Sequence, residues 1–569
     1  MPPKDGEFVL VKQITDSASL KRPLQAGDLI EFELGIFLAG DQGDPNLGRF
    51  NYYSDVVVYK VGTPGAQPWF RGPSSDPTLI PWDSHVLPGE ALAGGTLMTE
   101  QEDTSNQPEM NLLQAGTNIA GIDMQAFQEG RRLFHTSFLT GAHAEAGNPV
   151  FTAQAGKAGP KFQQPACIAC HVNDGKSTPA QGAALNTMVV LTGDDANGVP
   201  VPDARFGGHL EQGLVTDGGK TYDGRQATLT IASYKNTAGT YPDGTAYTLQ
   251  TPQYALTDLS GNALPMPAHL SVRAAPHLVG MGLLEAVPES TLQALATASA
   301  SDPDHAVGKL QIVPDLKDPT INRVGRFGWR GTSATVAQQT AAALNGDIGV
   351  TTSLIPKHLC GLASSAAGAA CRAADTATPE LSDSDLELIQ RYLSLLSVPA
   401  ARHFAGEQPL GITGPTIVAQ TAAQTQAQIA AENAMQARVA QGKVLFAQAR
   451  CTACHVASLT TGSNHRFAEL RSQTIAPYTD LLLHDMGPDL ADTFPQGNAT
   501  QQEWRTAPLW GLGLLAAIDP NVRYLHDGRA RTIEEAILWH GGQAAAARDR
   551  FKALSADDRQ KVIDMVSSR

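Results

Sequence analysis

Two five-residue strings constrain this chain more than anything else in it: CIACH at 167–171 and CTACH at 451–455. Two thiols three positions apart, followed at once by an imidazole, are what covalent attachment of a c-type haem requires. Cys167 and Cys170, and again Cys451 and Cys454, reach the two vinyl groups along one porphyrin edge, and His171 or His455 swings under the iron as proximal ligand. A thioredoxin-like redox pair or half a zinc site would explain one Cys-x-x-Cys, but neither needs the histidine and neither predicts the repetition. The sequence therefore predicts two covalently attached haem c groups.

That chemistry sets the compartment. Haem is attached covalently outside the cytoplasm, so a periplasmic or secreted location is expected, with the signal peptide absent from this chain because "MPPKDGEFVL" has no apolar core. No window approaches eighteen consecutive apolar residues, so no transmembrane segment is expected. With 41 Lys and Arg against 56 Asp and Glu, a net charge of −15 and no basic run, the chain offers no electrostatic footprint for nucleic acid or an anionic membrane. Cys360 and Cys371 flank "GLASSAAGAA" and read either as a local disulfide or as two small apolar residues.

Three spans follow from the patterning. Residues 1–88, with "DLIEFELGIFLAG" and "NYYSDVVVYKVG", read as a β-sandwich-like extension of unknown role. Residues 89–411 read as an N-terminal haem domain with a β-rich insertion at about 190–265, and residues 412–569 as a C-terminal haem domain introduced by a long helix over 418–449. An internal repeat links the two: "FQEGRRLF" precedes the first motif and "VAQGKVLF" the second, pairing Gly130 with Gly442 and Phe134 with Phe446. The expected fold class is mainly α, two cytochrome c-like domains plus the two β-rich pieces.

The segments "CIACHVNDGKS", "RAAPHLVGMGLLEAVPE", "GRFGWRG", "LLLHDMGPDLAD", "EWRTAPLWGLGL" and "YLHDGRARTIEEAILWHGGQA" resemble the bacterial di-haem oxidoreductase family, which is related to di-haem cytochrome c peroxidases and to the enzyme that matures methylamine dehydrogenase. The resemblance runs from about residue 89 to the C-terminus and implies a peroxidase-like oxidoreductase. In the relatives, the place of His540 holds the distal ligand of the C-terminal haem, so the resemblance makes His540 an iron ligand. The competing readings are a core histidine satisfied by a backbone carbonyl, or Met486 as ligand with His484 in a structural hydrogen bond. Aligning the repeat sets Ala343 opposite His540, which implies an open first haem unless His269 closes it at rest. His277 and Met281 read as packing residues.

By the same resemblance Trp329 stands between the haems, and Gln339 and Asp347 stand where the peroxidases carry a Gln and a Glu that handle peroxide, although Asp347 comes two residues early. Their bland alternatives are a core aromatic for Trp329 and a solvated loop carboxylate for Asp347. The implied partners are a small electron-donor protein, a cytochrome or a cupredoxin, and peroxide or another small substrate. A calcium ion (Ca2+) is a further implied cofactor. Two other functions stay open at this point: oxidation of a protein side chain or small molecule by the same haems, and simple electron transfer.

Overall fold

The computed structural model describes residues 13–17, 21–37, 52–63, 65–73, 82–100, 110–119, 121–217, 219–360, 369, 372–373, 375, 378–405, 407 and 422–569. The frame is a pair of crossed helix pairs, one behind each Cys-x-x-Cys-His loop. In Gly121–His135 the residues Phe127, Gly130 and Phe134 recur at helical spacing and bury one face against Asp383–Leu395, which turns Leu386, Ile389, Tyr392 and Leu393 inward. The second helix starts cleanly because the Ser382 hydroxyl accepts the Asp385 N–H. Ala422–Gln448 repeats the plan, burying Val439 and Phe446 against Val562, Met565 and Val566 of Ala556–Ser567, which Ser555 caps in the same way.

The repeated glycines are explained by the crossing. A Cβ on Gly130 would lie 2.0 Å from the Leu388 carbonyl oxygen, and one on Gly442 would lie 1.9 Å from that of Lys561. Backbone meets backbone at both points, so only hydrogen fits. Gly442→Val is expected to force the helices apart and cost about 1–3 kcal/mol, as overpacking generally does, read as a lower denaturant midpoint with the haem spectrum as reporter.

The chain is not mainly α. Helix accounts for 30% and strand for 23% of it. Most of the strand lies in the N-terminal extension, in Leu29–Phe37 and Tyr52–Lys60, and in the insertion, in Thr228–Thr240 and Ala246–Thr257; two-residue ladders such as Thr99–Glu100 beside Val398–Pro399 and Leu459–Thr460 beside Thr474–Ile475 add a little in the helical spans. No sheet among the described residues exceeds three strands. Ladders this short leave no alternating pattern to read.

The β-rich insertion runs further than its sequence limits, from Met188–Asp194 to His269–Arg273, which pair with each other. Its longest element is the antiparallel hairpin Thr228–Thr240 with Ala246–Thr257. The hairpin tip crosses to the C-terminal span: Tyr241 donates to Glu534 at 2.7 Å, Arg559 lies over the Tyr241 ring at 3.7 Å and pairs with Asp243 at 2.7 Å, and Arg531 donates to the Thr248 carbonyl at 2.9 Å. In the N-terminal extension Leu29–Phe37, Tyr52–Lys60 and Ala66–Gln67 form one antiparallel sheet, and Trp69–Pro73 pairs with Trp82–Val86. Asn118 holds this extension to the body by bonding both backbone groups of Ala66 at 2.8 Å. One hydrophobic cluster takes residues from both haem spans, Phe127, Phe138, Leu283 and Leu396 from the first and Leu470, Ile475, Trp510 and Leu515 from the second.

Candidate functional site

A cavity of about 570 Å³ is lined by both Cys-x-x-Cys-His loops. Each loop is a single 3-10 turn, Cys167–Ala169 or Cys451–Ala453, after which the histidine N–H returns to the first cysteine's carbonyl at 3.0 and 2.9 Å. This sets the two thiols and the imidazole on one side of the chain. None of the four cysteines is in a disulfide.

The histidines share one design. His171 donates its Nδ1–H to the Pro276 carbonyl at 2.8 Å, His455 to that of Tyr478 at 2.8 Å, and His540 to that of Ala536 at 2.7 Å. Each is thereby held in the tautomer whose Nε2 carries the lone pair, the form in which imidazole binds a metal. Burial pushes His171 and His455 down to about 4, so both are neutral. The ring centroids of Phe134 and Phe446, the repeat-related aromatics, each stand 6.2 Å from that of the motif histidine of their own half, His171 and His455.

His540 directly follows Ile533–Leu538 and its flanking Trp539, a helix capped by the Thr532 hydroxyl on the Glu535 N–H. Gly541 and Gly542 then pass against the backbone of 485–487, where a Cβ on Gly542 would meet the Asp485 oxygen at 2.4 Å. The His540 and His455 ring centroids are 6.5 Å apart. Two imidazoles on opposite sides of one metal, each nitrogen about 2 Å from it, would have centroids on the order of 6 Å apart. Met486 also lines the cavity but packs with Leu490, Ala530 and Trp539. For His484, burial opposes the charge, but the Asp480 carboxylate 2.7 Å away holds its imidazolium up to about 11.

At the first motif, Ala343 lines the cavity from Val336–Ala343, the helix related by the repeat to the one before His540. Gln339 lies on the same helix. Asp347 lies in the wider π turn Leu344–Ile348 that follows, which brings a residue eight positions on back towards the cavity. Burial pushes the Asp347 carboxyl up to about 7. Trp329 lines the same cavity, donates its indole N–H to the Ala274 carbonyl at 2.8 Å, and carries the Lys176 ammonium over its ring at 4.9 Å.

His269 does not reach the cavity; its Nε2 pairs with Asp194 at 2.9 Å. His277 and Met281 do line it. Sequence reading missed His209, which the insertion brings to the wall with Nδ1 3.3 Å from the Gly346 carbonyl, and Glu211 close by, whose carboxyl is raised by burial and by the charge of Asp347. It also missed two cations. Lys176, lowered to about 7 by burial, and Arg505, lowered to about 10 by burial, line the cavity and have no carboxylate at ion-pair distance among the described residues. Apolar walls, paired thiols, neutral imidazoles and two carboxylate-seeking cations suit a porphyrin with acidic substituents. The groups of three or more candidate ligands among the described residues all include His or Cys, so none is the all-oxygen set calcium favours. Cys360 is disulfide-bonded; Cys371 lies outside the described residues. No described helix is long and apolar enough to cross a membrane.

A family model described as "Di-haem oxidoreductase, putative peroxidase" matches residues 191–569. No curated protein matches the chain. Among solved structures, that of Kuenenia stuttgartiensis hydrazine synthase, pressurized with 20 bar xenon, is similar at 10% identity over 85% of this chain and 99% of that one, with a TM-score of 0.30. So loose a likeness carries no argument.

Proposed function

The chain belongs to the di-haem oxidoreductase family, and from that premise we propose that it is an extracytoplasmic enzyme that reduces peroxide with electrons from a small cytochrome or cupredoxin. The observation that carries this reading is the asymmetry of the two centres: His540 faces His455 across 6.5 Å, whereas the repeat-related position is Ala343, beside Gln339 and Asp347. The haems, attached through Cys167, Cys170, Cys451 and Cys454, supply one-electron transfer and, at an iron with a free position, peroxide reduction.

The chain's own groups do the rest. His171 would hold the haem of the reactive centre, and His455 with His540 would hold the second, which would serve as relay. Lys176 and Arg505 meet the acidic substituents. Asp347, kept protonated up to about pH 7 by burial, is the cavity group that would hold and hand over a proton to a peroxide oxygen. The Gln339 amide orients the substrate, and Trp329 is the aromatic through which the centres communicate.

The test is steady turnover of hydrogen peroxide with a reduced donor protein, alongside the ferric spectrum. One high-spin and one low-spin haem with turnover are expected; two low-spin haems in every oxidation state and no turnover would make the chain an electron carrier. His540→Met should keep the second haem six-coordinate, raise its potential, since thioether ligation does so relative to imidazole, and add the weak near-infrared band of Met–ferric ligation. An unchanged potential and spectrum would return His540 to the core and make Met486 the ligand to test.

A further inference from the structure

We propose that His135, His143 and Glu145 form a binding site for a late first-row divalent metal ion of the zinc or copper class, separate from the haem cavity. The three side chains each offer a ligand atom, and these atoms lie within 4.8 Å of one another. None of the three lines the cavity that holds the Cys-x-x-Cys-His loops.

The observation that points to a missing ligand is His135. It is 2% exposed, and neither ring nitrogen has a hydrogen-bond partner. Glu145 lies beside it, with Nδ1 to Oε1 at 3.6 Å, too long for a hydrogen bond but an ordinary separation between two ligands of one ion. A buried imidazole with both nitrogens idle is costly, and an ion placed among the three groups would use one of them.

The chain reaches this arrangement locally. His135 closes the helix Gly121–His135, and the turn after it folds back so that Thr136 bridges to His143. The His135 and His143 rings then stand 5.6 Å apart with planes 29° from parallel; two imidazoles on one tetrahedral ion, each nitrogen about 2 Å from it, have centroids roughly 5 Å apart. His143 Nδ1 carries that ring's lone pair, because it accepts the Glu145 N–H at 3.1 Å with the Asn148 amide 3.0 Å away; an ion on Nδ1 takes the place of both donors. Arg131 pairs with Glu145 and offsets its charge. Two neutral nitrogens with a shared carboxylate suit zinc or copper and disfavour calcium or magnesium. Burial, which lowers both histidines, keeps those nitrogens unprotonated at neutral pH.

The experiment uses the haem-loaded protein, stripped with a chelator and titrated calorimetrically with zinc. Wild type is expected to bind one ion more than His135→Gln or His143→Gln, with affinity lost by more than about 10-fold in either variant. His403→Gln, in the separate cluster with Glu407 and Glu432, should keep that ion. Equal uptake by wild type and His135→Gln overturns the proposal. Cobalt(II) added to wild type decides even if a variant misfolds: intense visible bands of a tetrahedral nitrogen and oxygen site are expected, and their absence overturns it.

Discussion

A His171→Gly variant is expected to lose its reaction with peroxide while the absorption of the second centre stays nearly as in the wild type. His171 is locked in one tautomer by the Pro276 carbonyl at 2.8 Å, and it is the imidazole that directly follows the two thiols of CIACH. Proximal ligation sets how an open iron treats bound peroxide, so removing it should abolish the reaction rather than slow it. The second centre keeps Cys451, Cys454, His455 and His540, and its frame is a different helix pair. Stopped-flow mixing with peroxide, following the two haems separately, is the measurement. Wild-type reactivity in the variant would mean that the roles of the two centres are exchanged.

Asp347→Asn should slow the peroxide step by on the order of 10²-fold or more, the usual worth of a positioned acid–base group. Its pH dependence has a definite sign. Burial raises the folded-state pKa of Asp347 from the ordinary carboxylate range to about 7, so the acid carries its proton below about pH 7 and loses it above. The wild-type rate should therefore fall as pH rises through that region, and Asn, which cannot titrate, should flatten this limb. The same shift acts on stability: the folded state binds a proton that the unfolded chain has released between the ordinary value and about 7, so folding is progressively disfavoured as pH rises across that window. An unchanged rate with the limb intact would identify Glu211, the neighbouring raised carboxyl, as the acid to test.

What could be read in the sequence was local. Cys-x-x-Cys-His is a five-residue pattern legible from its spacing, and the structure shapes each copy as a single 3-10 turn. The pairing of Gly130 with Gly442 and Phe134 with Phe446 was legible because a repeat preserves what a helix crossing and a proximal imidazole demand. His540 was legible as a question, and the structure shows one part of the answer: it satisfies a backbone carbonyl, at Ala536, with its ring centroid 6.5 Å from that of His455.

Long-range placement was not legible. His269 sits near the expected distance from the first motif but lies on a strand that pairs it with Asp194, while His209, with no motif around it, reaches the cavity because the insertion folds back onto the turn after Ala343. Lys176 and Arg505 were visible as ordinary basic residues; their burial without carboxylate partners appears only when the chain is packed. The fold class failed on weight: the long strands of the extension and the insertion were read as additions to a helical body, but together with the short ladders they bring strand to 23% against 30% helix. By itself the sequence determined what closes within a few bonds: the two Cys-x-x-Cys-His strings on which the proposed haem attachment rests, and the duplicated helix frame. Only the tertiary structure decided which distant groups share the cavity, because hydrogen bonds to carbonyls such as Pro276, Tyr478 and Gly346 depend on where the chain returns, and no spacing along it encodes that.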